Sequence, residues 1–441
     1  MLFHFLKYLQ PTHYFQLYTK SGNSVFPKIE ALPKQILEQL HVDDDYISSQ
    51  ASDYDLSWQA IKKGYIGDAL TYSSFHEVPV QDNYRFLKRN FNPAWVVFVL
   101  ILRLVSFHNP VKEIKSWLLV RRVNRKNYES PLLYLEWTGF KSKLIENNPK
   151  VSIVIPTLNR YEYLKNVLQD LERQDYANFE VIIVDQSEPF NQNFYKDYRL
   201  DIHLIRQEDK ALWLARNTAI KEAKGDFIAL SEDDVRIDSN WISSHLKCLD
   251  FFNAQVSAGV FYPKDQEIPK ERSFFAIATQ FATGNAMLYK DVFKHIGLFD
   301  RQFEKQRMGD GEFGMRIYLE GIKSISNPFA SCVDIKADTG GLREMGSWDA
   351  FRPSTFFAPR PIPSVLYYFR KYYGNKPARL ALLRMIPLSI FPYQFKKNKP
   401  LLILGIAVSV LILPIVCYQV IKSWNLASTK LYEGSLIAFL D

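Results

Sequence analysis

The chain is poor in cysteine. Its 441 residues hold three, Cys248, Cys332 and Cys417, none close to another. That argues against a disulfide framework and against a zinc cluster, and it fits a reducing compartment. A secretory signal is also missing. The opening residues, MLFHFLKYLQP, lack a basic leading stretch and a small-residue cleavage site, so the N-terminus is expected to stay on the side of the membrane where it is made. No internal repeat and no low-complexity linker is visible. Acidic residues do not balance the basic ones: 47 Asp and Glu face 55 Lys and Arg, a formal net charge of +8. A basic balance suits an anionic partner, whether nucleic acid, anionic lipid or a phosphorylated substrate.

What is present is length and aromatic surface. A chain of this length can hold two or more domains and a substantial core. Hydrophobic residues make up 47% at a mean hydropathy of −0.17, which fits a globular protein with some membrane-facing surface. Aromatics reach 15%, favouring a membrane interface or sugar stacking over a purely soluble enzyme.

The first 150 residues carry few signals. Asp43–Asp45 is an acidic run. Trp95–Phe107 (WVVFVLILRLVSF) is too short to span a bilayer and is interrupted by Arg103. A buried strand or helix is expected there, with an interfacial membrane segment as the alternative. Glu113–Lys126 (EIKSWLLVRRVNRK) is basic: a solvated helix face, or a contact with anionic lipid.

At Val151 the texture changes. VSIVIP is a β-branched run, and FEVIIV from Phe179 is a second that stops at Asp185. Ile202–Ile205 and Phe227–Leu230 are two more. Between them, Leu164, Val167, Leu168 and Leu171 follow helical spacing after Asn159, a candidate cap with Glu162 three residues on. Ala211–Lys224 is predicted helical, with Gly225 as its left-handed stop. Strands alternating with helices, and strands apolar throughout, predict a parallel sheet covered on both faces. Ligands of such sheets bind beyond the strand C-termini. Thr157, Asp185 and the acids Glu232, Asp233 and Asp234 all fall at such ends. Clustered carboxylates there suggest a site for Mg²⁺ or Mn²⁺; an acidic turn before a helix is the plainer explanation.

Further on, a helix over Trp241–Phe252, strands over Val256–Tyr262 and Thr283–Lys290, and a helix through Val292–Ile296 are predicted. In Met308–Gly321 (MGDGEFGMRIYLEG), Asp310 and Glu312 stand at the mouth of a helix. They suit general-base work or simply complement the helix dipole. Pro353–Pro400 is rich in proline, aromatic and basic residues, and Leu401–Ile421 is uncharged over about twenty residues, enough to cross ~30 Å of hydrocarbon. A membrane helix kinked at Pro414 is expected, with a buried core helix or a hairpin-like monotopic anchor as alternatives. Lys396, Lys397 and Lys399 before it place the catalytic side in the cytoplasm.

Taken together, six stretches resemble the family 2 glycosyltransferases, which have the GT-A fold: VSIVIPTLNRYEYLKNVLQDL, FEVIIVDQS, ALWLARNTAI, ALSEDDV, TGNAMLYKDVFKHIGLFD and GDGEFGMRIYLEG. Their order and spacing fit from Val151 to about Ser326. The resemblance implies an α/β, Rossmann-like, mostly parallel sheet with flanking helices. It also implies an inverting, metal-dependent transfer of sugar from a nucleotide-sugar donor to a glycan or lipid-linked acceptor in surface polysaccharide synthesis. Pro156, Thr157, Asp185, Arg216, Asn217 and Asp233 would serve the donor, Gly284 and Asn285 the acceptor side. Asp234 and Glu232 would hold Mn²⁺ or Mg²⁺, and Asp310 matches the family's base. The sequence departs from the family at Gln186, often Asp; at Glu232, which opens the DxD signature; and at Gly309, usually Glu, which leaves Asp310 and Glu312 both open as the base. A His common after the last core strand is replaced near Asp334.

The expected domains are 1–150, of unassigned role; 151–345, the GT-A domain; 346–399, a basic and aromatic membrane-interface segment; 400–424, a transmembrane or monotopic helix; and 425–441, a tail. The expected place is the cytoplasmic face of the inner membrane, and no nucleic-acid partner is expected. A nucleotidyltransferase would need a Gly-rich basic phosphate loop after the first strand, which PTLNRYEY does not supply. A catalytically inactive sugar- or lipid-binding protein is the rival from another class.

Overall fold

The computed structural model describes residues 1–125, 130–337, 340–341, 350–353, 355–392, 395 and 398–440. The chain forms two compact units, 1–134 with 372–385 and 135–371 with 386–441.

The first unit is helical. Its longer helices are α1 (Ser49–Lys62), α2 (Val80–Asn90), α3 (Pro93–Val105) and α4 (Pro110–Leu119), joined by Asn375–Met385. Asn92 and Asn109 cap α3 and α4, each followed by a proline whose missing N–H costs nothing at the first helical position. Aromatic rings fill the interior: Phe3 stacks on Phe86 with centroids 3.9 Å apart, and Trp58 meets Phe86 edge-on. The acidic run is spent on ion pairs, Asp43 with Arg85 and Arg89, and Asp45 with Arg85. The apolar run from Trp95 is helical to Val105, but it is not buried as expected. Val97, Ile101, Val105 and Phe107 are exposed, because the face turned inward carries Val96, Val99 and Arg103.

The second unit holds a nine-stranded sheet. Its strands are β1 (Val151–Thr157), β2 (Phe179–Asp185), β3 (Ile202–Arg206), β4 (Phe227–Ser231), β5 (Val235–Ile237), β6 (Val256–Pro263), β7 (Ala276–Ile277), β8 (Asn285–Tyr289) and β9 (Ser324–Asp334). They lie in the order β3-β2-β1-β4-β8-β6-β9-β5, with β7 also on β9. The pairs β3-β2, β2-β1 and β1-β4 are parallel, so their C-terminal ends line one edge. β8 runs antiparallel to β4 and β6, and β6 is parallel to β9. Every residue of β1 and β4 is buried, as continuous apolar strands require of a sheet covered on both sides. Helices α5 (Tyr161–Leu171) and α7 (Trp241–Phe251) pack in one core with Ile153, Ile155 and Val181. Helix α6 (Leu212–Glu222) lies on β1 and β2. Truncating a side chain such as Leu168 in that core would cost about 2–5 kcal/mol.

Two local expectations change. Asn159 does not cap α5. It sits at φ +55 and its Oδ1 accepts from the Glu188 N–H at 2.8 Å, while Arg160 occupies the cap position. Gly225 is not a left-handed stop either. A Cβ there would stand 2.6 Å from the Lys150 carbonyl oxygen, so glycine is needed for close approach to β1.

The C-terminal apolar stretch is two helices, α9 (Lys399–Leu411) and α10 (Leu413–Glu433), bent by 86° at the break. Pro414 starts the second helix: it has no N–H, and its ring excludes the carbonyl of Val410. Among the described residues no single helix is long and apolar enough to cross a membrane, while the bent pair reaches that length and composition together. Helix α10 turns Gln419 and Ser423 inward, to Arg360 and to the Pro361 carbonyl. Lys396 and Lys397, on which the side assignment rests, lie outside the described residues, as does Lys126 at the end of the basic run.

Candidate active site

Parallel pairing puts Thr157 opposite Asp185, and Leu230 opposite Val154 one turn of pleat earlier. The acids Glu232–Asp234 therefore begin one residue past β4, beside the end of β1. Thr157 Oγ1 donates to Asp233 Oδ2 at 2.8 Å. Arg160 Nη1 bridges Asp233 Oδ1 at 3.0 Å and Asp234 Oδ2 at 3.1 Å. The Ala337 N–H also donates to Asp234 Oδ2. The other oxygen, Asp234 Oδ1, is buried with no hydrogen-bond partner. Burial raises the Glu232 and Asp233 carboxyls, and the adjacent Asp234 raises both further. Such crowding favours a cation.

Arg216, on α6, is fully buried behind this cluster. Its Nη1 donates to the Ser231 carbonyl at 3.4 Å, and its Nη2 stands 3.8 Å from Glu232 Oε1. Nε and Nη2 have no hydrogen-bond partner. Burial lowers its pKa to about 10, against the pull of Glu232, Asp310 and Asp233. Asp310 is half-buried at the start of helix α8 (Gly309–Leu319). Its Oδ1 accepts from the Gly311 N–H at 2.8 Å, and burial raises its carboxyl above the usual range. The residue two before it, Met308, is held at φ +80, a conformation rare for a bulky side chain and common at functional loops.

Glu312, the other candidate base, is fully buried and held by Arg316 and Lys371 at 3.0 Å each. Both of its oxygens accept from Arg316 Nε, and one also from Lys371 Nζ. Gly309 lies against the Trp213 ring, and any Cβ there would collide with it. Trp213 thus fills the space that a side chain at position 309 would need.

The remaining expected residues divide. Gly284 belongs with the cluster, since a Cβ on it would meet the Glu232 carboxylate at 3.0 Å. Pro156 is a buried β1 residue beside Val184. Asp185 is fully buried and accepts from Tyr161 and Tyr195 hydroxyls at 2.7 Å and from the Ser187 N–H at 2.8 Å. Asn217 faces away from the acids: its amide donates to and accepts from the Phe299 backbone at 2.9 Å. Asn285 is a core hub. It accepts from Trp241 Nε1 and His245 Nε2 and donates to the Val260 and Ala330 carbonyls. Asp334 accepts from the Lys336 N–H and contributes to the negative field at Glu232. Gln186 accepts from the Ala211 N–H at 2.6 Å, at the foot of α6.

Tyr161, Tyr195, Arg160 and Glu304 are missed by reading along the sequence. Glu304 accepts from the Trp213 and Leu214 N–H groups, capping α6 from 90 residues away. Its only sequence signal is a lone acid, which says nothing about its partner. Arg160 follows Asn159 in a motif already singled out, so its proximity to β1 is a usable signal.

Among the described residues no group of three or more His, Cys, Asp or Glu side chains forms a ready cation cage. The acidic cluster itself offers one buried carboxylate oxygen, Asp234 Oδ1, and two buried Arg216 guanidinium nitrogens without a hydrogen bond.

Residues 152–308 match the family model described as Glycosyl transferase family 2. Glycosyltransferase GlyA of Streptococcus pneumoniae is 24% identical over 163 residues, 36% of this chain and 22% of GlyA. UDP-Glc:alpha-D-GlcNAc-diphosphoundecaprenol beta-1,3-glucosyltransferase WfgD of Escherichia coli is 28% identical over 153 residues, 34% of this chain and 56% of WfgD. The chain thus spans less than two thirds of either relative's length. Among solved structures, the mannosyltransferase PcManGT from Pyrobaculum calidifontis in complex with GDP-Man and Mn²⁺ is similar at 16% identity and a TM-score of 0.43, over 68% of this chain and 92% of that one.

Proposed function

We propose that this chain, whose residues 152–308 form a family 2 glycosyl transferase domain, moves a sugar from a nucleotide-sugar donor to a lipid-linked glycan, with inversion and with Mn²⁺ or Mg²⁺. One observation carries this proposal. Asp234 Oδ1 and Arg216 Nε and Nη2, none of them hydrogen-bonded, flank the same acidic cluster. Leaving such groups unpaired costs about 1–3 kcal/mol each. A diphosphate with a divalent cation satisfies both kinds at once: oxyanions for the guanidinium, a cation for the carboxylate.

The residues present fit such a cation, which takes one or two carboxylates and completes its shell from diphosphate and water. Asp234 would hold it, with Glu232 alongside. When bound, it supplies Lewis-acid stabilisation of the charge growing on the departing diphosphate. Arg216 donates to diphosphate oxygens. Thr157 and Arg160 fix Asp233, and Tyr161 and Tyr195 fix Asp185, so the donor meets groups already oriented. The acceptor hydroxyl oxygen then bonds to the anomeric carbon as the bond to the diphosphate oxygen breaks. Its proton passes to the Asp310 carboxylate, whose raised pKa makes it the stronger base. Glu312, occupied by two cations, is poorly placed for that task.

A lipid-linked acceptor is supported by the diphosphoundecaprenol acceptor in WfgD's name and by the apolar outer faces of α9 and α10, where Ile403, Val410, Leu411 and Ile421 are exposed. With the catalytic domain on the cytoplasmic side of the inner membrane, these helices would keep the site at the lipid surface. The test is a donor panel on the purified full chain in detergent, with Mn²⁺ or EDTA, read by thermal shift and nucleotide release. One donor is expected to raise the melting temperature and release nucleotide only with metal. Silence from every donor, in protein shown to be folded, would sink the proposal.

A further inference from the structure

Helices α3 and α4 are built inside out. On α3, Val97, Ile101 and Val105 recur at four-residue spacing and form one stripe, exposed by 41%, 53% and 69%. On α4, Val111, Ile114 and Leu118 form a second exposed stripe, and Leu119 extends it. Phe107, in the turn between the helices, is 97% exposed and held at φ +58. A phenylalanine in the left-handed region carries strain, and here the strain projects an aromatic ring outward. The inward faces carry the charge. Arg103 Nη2 donates to Glu113 Oε1 at 2.6 Å, and the Tyr84 hydroxyl donates to Glu113 Oε2 at 2.7 Å, all within the interior. The buried pair ties α3 to α4 and leaves the apolar stripes facing out.

The charges that do reach the surface are of one sign. Lys112, Lys115, Arg121, Arg122 and Arg125 are exposed, while Glu113, the sole acid between residues 93 and 125, is buried. In water, eight large apolar side chains exposed on one helix pair are a liability. Beside five bases and no exposed acid, they have the make-up of a helix pair lying in an anionic lipid surface.

We infer that the α3–α4 hairpin is a second membrane-contact site, inserting Phe107 and the stripes around it into the acyl boundary of an anionic bilayer while the five bases hold lipid headgroups. It lies in the first unit, outside the transferase domain, and does not depend on the chemistry proposed for that domain.

The test uses the full chain with Cys417→Ser and Phe107→Cys, labelled at position 107 with a polarity-sensitive dye; Cys248 and Cys332 are buried. Vesicles are of phosphatidylcholine alone or with a third phosphatidylglycerol, and flotation shows whether the chain is bound. On anionic vesicles the emission is expected to shift to the blue and to be quenched by brominated acyl chains. Both effects are expected to shrink on neutral vesicles, in 1 M salt and in Arg121→Gln/Arg122→Gln. A dye that stays in water on anionic vesicles, whether the chain floats or not, overturns the inference. An equal shift on both vesicles overturns the anionic assignment. A concentration-dependent shift without vesicles overturns it in favour of a second copy of the chain.

Discussion

Arg216 keeps two buried guanidinium nitrogens without a hydrogen bond. Hydrogen bonds from a charged donor to a ligand are worth about 1.5–3 kcal/mol. Arg216→Lys keeps the charge and loses the planar fork. Titration calorimetry of this variant is expected to show donor affinity reduced by about 10- to 100-fold with the melting temperature little changed. Unaltered affinity would assign Arg216 to the framework. His245 gives the pH dependence. It is fully buried between Ser257 and Asn285, and burial lowers its pKa to about 4 from 6.5. The unfolded chain therefore binds the proton first. Stability of the second unit is expected to hold above pH 6.5 and to fall below it, by about 2 kcal/mol at pH 5 from this residue. Denaturation of His245→Gln from pH 7.5 to 5 should show a flatter profile; an unchanged slope would contradict the assignment. At this scale the sequence is a good guide to which residues stand at strand ends. Thr157, Asp185 and Glu232–Asp234 sit where a parallel sheet must present them. Asn217 and Asn285 are different. Their motifs are as recognisable, but their amides are consumed by the backbone of Phe299 and by the carbonyls of Val260 and Ala330, partners that spacing along the chain does not reveal.

Helix α6 shows how an element acquires its place. Its own residues include no side-chain cap, and its N-terminal N–H groups are taken by Glu304. Glu304 also adds a negative charge at the positive end of the helix dipole. Since α6 carries Arg216, the cap fixes the guanidinium relative to the acids. Glu304→Gln is expected to lower unfolding stability by about 1 kcal/mol, measured by chemical denaturation, and a neutral result would show the cap to be dispensable. The loop that follows Asp300 is tied down in the same manner. Asp300 accepts from the Gln302 and Leu436 N–H groups and the Tyr367 hydroxyl, so the residues after α10 are joined to the approach to Asp310. Most strand and helix positions in 151–326 follow from apolar periodicity; β5 and β7, of three and two residues, are too short to show a period, and β9 is not marked by one. The break between α9 and α10 is foreshadowed by Pro414, but its 86° size is not, because a proline sets where a helix restarts and packing sets the direction.

For the whole molecule, the two units differ in what they hold. The second unit holds the sheet, the acids and the bent apolar pair; the first holds an aromatic core with an outward apolar hairpin. Composition suggests exposed apolar surface without placing it. The runs at 95–107 and 401–421 look alike as core and as interface, because hydrophobicity alone does not say which face turns inward. Buried polar groups decide: Arg103 and Glu113 in one case, Gln419 and Ser423 in the other. The claim that joins these parts is that a nucleotide sugar bound at the Asp234 cluster loses its sugar to a hydroxyl deprotonated by Asp310. The direct test is single-turnover transfer by Asp310→Asn and Glu312→Gln, alongside donor binding by each. Asp310→Asn should lose transfer by at least about 100-fold with donor affinity nearly intact, and Glu312→Gln should lose stability first and keep transfer in whatever protein folds. Transfer that survives in Asp310→Asn and is abolished in well-folded Glu312→Gln would contradict it.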